Sequence, residues 1–276
     1  MKISTKILII AGSLILVGCI AFVCVMSALK WDFTKLSTAE YETNTTEITE
    51  NFSNITISTE TANIVFASSE NEKCKVECYE DVKAKHSVTV ENDALVIKID
   101  NQKSWYDYIG FNFGVQKITV YLPKTQYNAL SVKGVTGNVK FAKEYSFNAA
   151  EISLTTGNVD FSASVLEDLK IKTTTGNVTV ADNAVGSIDV SVTTGTVRLS
   201  KLTCKNDITV GVTTGRTYLT DITCENLSSS GTTGNIDLTN VIAKENLSVK
   251  RSTGNVKLDG IDAAEITLKT STGNVT

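Results

Sequence analysis

The chain has 276 residues, with 26 Lys and Arg against 30 Asp and Glu, a formal net charge of −4 and a single histidine, His86. This balance excludes a general nucleic-acid binder, because such proteins neutralise phosphates with an excess of Lys and Arg. One histidine argues against any mechanism that needs a histidine pair. A hydrophobic content of 42% is too high for a disordered chain.

The N-terminus carries a long apolar segment. Residues 7–29 contain no charge, and a helix of that length spans roughly 34 Å, enough for the ~30 Å core of a bilayer. We predict a cytoplasmic tip and transmembrane anchor within residues 1–30, with the rest of the chain extracytoplasmic. Two alternatives stay open. One is a cleaved signal peptide, whose apolar region is normally shorter. The other is a lipoprotein anchored at Cys19, although the sequence stays apolar after that residue.

Three further regions follow. Residues 31–51 are acidic and rich in Thr and Ser, which predicts a flexible tether. Residues 52–128 alternate between apolar and polar positions, with a predicted hairpin turn at 92–93 and a strand end at Pro123. This pattern predicts irregular N-terminal β coils and a cap. Residues 129–276 are predicted to form regular solenoid repeats.

The regular region is an internal repeat. Thr-Thr-Gly-Asn-Val recurs with small variations at intervals of 19 or 20 residues, and such a period is typical of a solenoid. The repeated glycines, which we predict to be structural turns, are Gly137, Gly157, Gly176, Gly195, Gly215, Gly234, Gly254 and Gly273.

Apolar residues alternate with polar ones on both sides of each glycine, as in strands with one buried face. In the copy around Gly234 the pattern is weakest, since Ser229 occupies an apolar position. We predict an all-β, single-stranded parallel β-helix (β-solenoid) of about 19–20-residue coils, eight in number, preceded by one N-terminal transmembrane helix. The chain stops within a repeat and shows no cap, so we expect either a truncated solenoid or an uncapped C-terminal edge that is covered by a partner or, through self-association, by a second copy.

The regular spacing of Thr and Asn around the glycines favours a structural role. Stacked Asn side chains can form hydrogen bonds along the coils, and threonine suits strands. Threonine arrays that bind ice need threonine at alternate positions on one flat face. The threonines here are adjacent in sequence, so we expect them to point to opposite faces, which argues against ice binding.

The cysteines do not indicate a metal site. Cys204 and Cys224 occupy equivalent positions of neighbouring coils, and both a disulfide and two buried thiols remain possible. Cys74 and Cys78 should share one strand face about 13 Å apart, too far for a bond between them. Zinc is not expected without a second close pair or more histidines. We predict no metal, no cofactor and no catalytic residue.

An aromatic cluster interrupts the predicted N-terminal strands. Either it plugs the open end of the solenoid core, or it is an exposed patch that contacts sugar, lipid headgroups or a partner protein. The residues of this candidate binding patch are Trp105, Tyr106, Tyr108, Phe111 and Phe113.

Together these features resemble the bacterial putative-adhesin family of β-strand-repeat proteins, also called toastrack domains. The resemblance rests on the sequences 52–57 (Phe-Ser-Asn-Ile-Thr-Ile) and 118–123 (Ile-Thr-Val-Tyr-Leu-Pro) and on the glycine repeats. It covers roughly residues 50–276. It implies a cell-envelope protein with a β-helical ectodomain and, in some members, a link to envelope-stress sensing. The family offers no established catalytic residues to transfer.

We therefore expect a non-catalytic, membrane-anchored binding or adhesin-like scaffold that contacts a cell-envelope polymer or a membrane-protein partner. One alternative is an envelope-stress regulator that acts through a partner membrane protein. A remote alternative is a polysaccharide-acting enzyme, which would need acidic side chains that converge on adjacent coils. Asp160 is followed at the equivalent positions of the next two coils by Thr179 and Arg198, so no such column is predicted.

Overall fold

The structure is a computed structural model that describes residues 3–37, 39–70, 72–109, 112 and 114–276. The chain forms two compact units. Unit 1 comprises Met1–Tyr41 and Gln102–Gly114, and unit 2 comprises Glu42–Asn101 and Val115–Thr276.

Among its described residues, unit 1 contains one α-helix, α1 (Ile3–Ala28), which is long and apolar enough to cross a membrane. The helix ends where Lys30 and Trp31 adopt left-handed backbone conformations, and the Trp31 N–H donates to the Met26 carbonyl at 2.8 Å. This bond satisfies a carbonyl that the end of the helix would otherwise leave unpaired. The unit also contains the 3₁₀ helices Phe33–Leu36 and Trp105–Tyr108.

The strands belong to the solenoid and its N-terminal end. They are β1 (Tyr41–Ile48), β2 (Asn54–Thr61), β3 (Asn63–Ser68), β4 (Cys74–Asp81), β5 (Ala84–Glu91), β6 (Ala94–Asn101), β7 (Lys117–Leu122), β8 (Gln126–Thr136), β9 (Val139–Phe141), β10 (Ser146–Thr156), β11 (Val159–Phe161), β12 (Ser164–Thr175), β13 (Val178–Cys204), β14 (Ile208–Cys224), β15 (Leu227–Thr233), β16 (Ile236–Thr253) and β17 (Val256–Thr272).

The predicted fold class is confirmed: unit 2 is a β-solenoid of about seven turns. Successive coils pair in parallel with equivalent residues in register, as in Ile152 with Ile171 and Val190 with Val210. The inward side chains form continuous buried columns, as the alternation predicted.

Steric constraints explain why glycine occupies each turn. All eight have φ between +123° and +153°, a region that other residues avoid. The neighbouring backbone also leaves no space for a side chain. A Cβ added to Gly176, for example, would lie 1.8 Å from the carbonyl oxygen of Gly157 in the preceding coil. In the first coil the equivalent position is taken by Ala62, whose carbonyl lies against Gly137.

The N-terminal end of the stack is interleaved. Strand β2 pairs in parallel with β6 on one side and with β8 on the other, and β3 likewise lies between β7 and β9. The β5–β6 hairpin turns at Asn92 and Asp93, as predicted, and both residues adopt left-handed conformations. Strand β4 pairs antiparallel with both β5 and β7, so antiparallel pairing replaces the parallel stack at this end.

Part of the predicted flexible tether is ordered. Residues 41–48 form β1, which pairs with β4. Asn44 donates to Glu80 at 2.8 Å, and Ile48 is buried. The β-branched threonines of this segment suit a strand, although its acidic composition suggested a solvated linker.

Aromatic side chains fill the core next to the interleaved end. Phe66 stacks on Phe141 with ring centroids 4.1 Å apart, and Phe141 in turn contacts Phe161. Tyr127 and Phe147 are also buried beside them.

Further along, the core contains a buried charge. Arg251 donates to the Val212 carbonyl at 2.6 Å and to Thr217 Oγ1 at 2.9 Å. Gly231 leaves space for the guanidinium, since an added Cβ there would lie 1.6 Å from Arg251 Nη1. The weak repeat around Ser229 thus coincides with a polar insertion in the core, where Ser229 itself is buried.

Candidate functional site

The predicted aromatic patch is exposed where the structure describes it. Trp105 is 76% exposed, Tyr106 58% and Tyr108 63%. Phe111 and Phe113 lie outside the described residues. The aromatic residues that fill the core come from the solenoid strands, so the three described members of the cluster do not act as the expected plug.

Local hydrogen bonds hold the segment around this patch. The Asp107 carboxylate accepts from the Ser104 N–H at 2.9 Å, which caps the start of the 3₁₀ helix. Lys103 lies over the Tyr108 ring, with Nζ 5.7 Å from the centroid. Tyr41 donates to Asn112 Oδ1 at 2.5 Å and joins the two chain segments of unit 1. The patch and α1 therefore belong to one compact unit.

The glycine turns present repeated polar groups on the solenoid surface. Asn158 Nδ2 donates to Asn138 Oδ1, and Asn158 Oδ1 accepts from the backbone and side chain of Asn177, with distances between 2.9 and 3.1 Å. The predicted asparagine ladder is thus present. A groove runs beside the first of these turns and is lined by residues that include Thr136, Asn138 and Thr156.

The adjacent threonines do not point to opposite faces as expected. Thr155 and Thr156 are both exposed, as are Thr174 and Thr175 in the next coil. In the pairing of β10 with β12, Leu154 and Thr156 have partners and Thr155 is skipped, because the strand alternation ends where the chain approaches the glycine bend. The threonines still do not occupy alternate positions on one flat face.

A second group of polar residues is buried at the interleaved end. His86 Nδ1 and the His86 backbone N–H both lie 2.7 Å from Glu80 Oε2, while His86 Nε2 lies 2.9 Å from Thr59 Oγ1. Cys78 lies beside this pair, and the ligand atoms of Cys78, Glu80 and His86 are all within 4.8 Å of one another. Sequence analysis missed this convergence, because it depends on the turn between β4 and β5 and on the inward side of both strands.

The thiols of Cys74 and Cys78, both on β4, are protonated at neutral pH. Burial raises the pKa of Cys74 and of Cys78 to about 12, and the Glu80 carboxylate adds to the effect at Cys78. As predicted, both cysteines share the inner face of β4 with Val76.

A family model identifies the fold family of the chain. The model of Toastrack DUF4097 matches residues 52–213, more than half of the chain. The chain belongs to this family. The predicted resemblance to toastrack domains is thereby confirmed.

Solved structures agree with this toastrack fold. A putative adhesin from Bacteroides fragilis is 21% identical with a TM-score of 0.53, and covers 87% of this chain and 97% of its own. A putative lipid binding protein from Parabacteroides distasonis is 15% identical with a TM-score of 0.55, and a putative adhesin from the same organism is 16% identical with a TM-score of 0.53. Each covers 87% of this chain and 98% of its own. No curated protein matches this chain.

Two further predictions concern the repeats of this toastrack chain. Cys204 and Cys224 are free, buried thiols, and Cys204 Sγ donates to the Gly186 carbonyl at 3.2 Å. Asp160 aligns with Lys140 and Thr179 on the adjacent coils, so its carboxylate has no acidic neighbour in register.

Proposed function

We propose that this protein is a non-catalytic binding scaffold, anchored in the cell membrane by α1 with the solenoid on the extracytoplasmic side. The solenoid has a close-packed core and a repeated polar surface, which suit a rigid support for surface contacts. The names of the similar structures, adhesins and a lipid binding protein, are in line with a binding role.

The observation that carries the proposal is the exposed aromatic patch of Trp105, Tyr106 and Tyr108 in the same compact unit as α1. Trp and Tyr favour the membrane–water interface, because their rings are apolar while the indole N–H and phenol O–H can face water. We propose that these three side chains contact lipid headgroups and hold unit 1 at the bilayer surface. Lys103, beside Tyr108, supplies a positive charge suited to headgroup phosphates.

Fluorescence quenching tests this contact. The chain has two tryptophans, so Trp31→Phe leaves Trp105 as the only one. In lipid vesicles, we expect lipids brominated near the headgroup to quench Trp105 more strongly than lipids brominated at the chain end. Tyr218→Trp on the solenoid, made in a chain that lacks both native tryptophans, is the matched control and should not be quenched. Equal quenching of Trp105 and this control would refute the headgroup contact.

The type of anchor is tested separately by the intact mass of the protein from cell membranes. An uncleaved anchor predicts the full chain mass, a lipoprotein predicts a lipid-modified chain that begins at Cys19, and a cleaved signal predicts loss of α1. Protease treatment of intact cells should degrade the solenoid if it is extracytoplasmic.

The regulatory alternative is tested by a photo-crosslinking residue at Tyr106 in living cells. Capture of one specific membrane protein, lost when Trp105 and Tyr108 are replaced by alanine, would favour a regulator with a protein partner. Crosslinks to lipid alone would support the proposed headgroup contact.

A further inference from the structure

The buried polar group at the interleaved end combines three side chains that commonly ligate metals. Cys78 and Glu80 lie two residues apart on the inner face of β4, and His86 lies on the inner face of β5. Cys78 is 2% exposed, Glu80 1% and His86 9%. One short turn brings the three together, where the Asp81 carboxylate accepts from the Lys83 N–H at 2.9 Å.

We propose that Cys78, Glu80 and His86 form a binding site for a zinc-class divalent metal ion. Sulfur, imidazole nitrogen and carboxylate oxygen are the ligand types that Zn²⁺ uses, and thiolate and imidazole favour such ions over Mg²⁺ or Ca²⁺. Three protein ligands leave the fourth tetrahedral position for a water molecule.

The distances allow this site with small movements. Ligand atoms around tetrahedral zinc lie about 3.3–3.8 Å apart, given metal–ligand bonds of about 2.0–2.3 Å. The three ligand atoms here are within 4.8 Å of one another, so no separation must shrink by more than about 1.5 Å. The Glu80 Oε2 to His86 Nδ1 distance, now 2.7 Å, must widen as the ion replaces the proton between them.

The surrounding groups suit the ligands. Thr59 Oγ1 lies 2.9 Å from His86 Nε2 and can accept a hydrogen bond from Nε2–H, which favours the tautomer whose Nδ1 is unprotonated and free for the metal. Asn44 donates to Glu80 Oε1 at 2.8 Å and orients the carboxylate. A hydrogen-bonded partner for each ligand is a usual feature of metal sites.

The charge balance also favours a bound ion. A divalent cation with one thiolate, one carboxylate and a neutral imidazole sums to zero, which lowers the cost of burying these groups in a medium of low dielectric constant. Metal coordination would deprotonate the Cys78 thiol despite its burial.

A catalytic interpretation of the same residues fits less well. Thr59, His86 and Glu80 are hydrogen-bonded in sequence, like a nucleophile, a base and its orienting acid. However, Thr59 is 6% exposed and shares the inner face of β2 with Ile55 and Ile57. A substrate cannot reach a nucleophile that points into the core, whereas a metal ion needs only a transient opening.

The test is metal binding by the full chain in detergent, in a Cys19→Ser, Cys24→Ser background that removes the exposed thiols. After treatment with a chelator, Zn²⁺ is titrated in competition with a chromophoric chelator, and Co²⁺ is added as a spectroscopic probe. We expect one ion per chain. The Co²⁺ form should show the intense visible bands of tetrahedral coordination and a thiolate-to-cobalt charge-transfer band in the near ultraviolet.

Variants assign the ligands. Cys78→Ser and His86→Gln should each weaken Zn²⁺ binding by at least about 100-fold, and Thr59→Val by about 10–100-fold. Cys74→Ser is the matched control, because it removes a buried thiol from the same face of the same strand but outside the cluster. Circular dichroism of each variant checks the fold.

Three results would overturn the proposal. The first is that the chain with only Cys19 and Cys24 replaced binds neither Zn²⁺ nor Co²⁺. The second is a Co²⁺ spectrum without the charge-transfer band. The third is an equal loss of binding in Cys74→Ser and Cys78→Ser.

Discussion

Replacing one turn glycine should destabilise the solenoid strongly. In Gly176→Ala, the new Cβ would lie 1.8 Å from the Gly157 carbonyl oxygen, whereas real Cβ atoms essentially never approach closer than 3.0 Å. The two coils must therefore separate locally by about 1 Å before the added methyl group reaches a tolerable contact distance. Alanine must also adopt φ near +150°, the value found at this position.

The expected cost follows from these two effects. The backbone strain costs about 1–3 kcal/mol. A separation of about 1 Å would stretch two flanking hydrogen bonds beyond the usual range for N–H···O bonds. These bonds join Gly157 N to Thr175 O and Val159 N to Asn177 O, and each is 2.9 Å long. Each lost bond costs about 1 kcal/mol, so the free energy of unfolding should fall by about 3–5 kcal/mol in total.

Urea denaturation followed by circular dichroism measures this change, and hydrogen exchange shows whether the coil between the two glycines opens first. Gly211→Ala is the matched control. Its added Cβ would have a nearest contact of 3.9 Å, to the Val190 carbonyl oxygen, and Gly211 lacks a positive φ. We expect this control to change stability by less than about 1 kcal/mol. A loss below about 1 kcal/mol for Gly176→Ala, or equal losses for both variants, would refute the steric argument.

Three other predictions concern the core and the surface ladder. Gly231→Ala should lower the free energy of unfolding by about 3–5 kcal/mol in urea denaturation, because it displaces the buried Arg251 guanidinium; a neutral effect would contradict this packing. Native Cys74 should resist iodoacetamide, because a pKa of about 12 leaves a thiolate fraction of about 10⁻⁴ at pH 8. Its alkylation, followed by mass spectrometry, should keep accelerating above pH 9, and a plateau near pH 9 would contradict the raised pKa. Asn158→Ala removes three exposed ladder bonds and should cost only about 1 kcal/mol in the same urea assay, since water replaces them. A loss above about 3 kcal/mol would show that the ladder carries more stability than its exposure suggests.

The solenoid was predictable because each coil repeats the same local constraints. The glycine bend, the alternating apolar columns and the asparagine ladder depend on residues close in sequence or one period apart. The sequence showed that the repeat at Ser229 is the weakest, but the buried polar group beside it became visible only in the structure. Arg251 lies 39 residues from the Val212 carbonyl that it contacts, so no local pattern links them.

The candidate sites were less accessible to sequence reasoning. The sequence could not show whether the aromatic patch is exposed or buried, because Trp and Tyr occur in both environments. The convergence of Cys78 with His86 depends on strand pairing in a region without a repeat. The ordered part of the tether pairs with β4 and contacts Glu80 through Asn44, and composition does not reveal these contacts.

Because the N-terminal end of the stack is interleaved, the coils must fold in a fixed order during synthesis of the chain. Long stretches of chain separate the β2 coil from the strands that flank it, since Asn54 pairs with Ala94 on one side and with Ala129 on the other. Closing such long loops is slow. The first coil therefore stays incomplete until Thr136, the partner of Thr61, has emerged. Every later coil needs only one more repeat of the chain. Folding during synthesis should therefore begin with one long lag. The later coils should then add rapidly, one at a time, to the completed first coil.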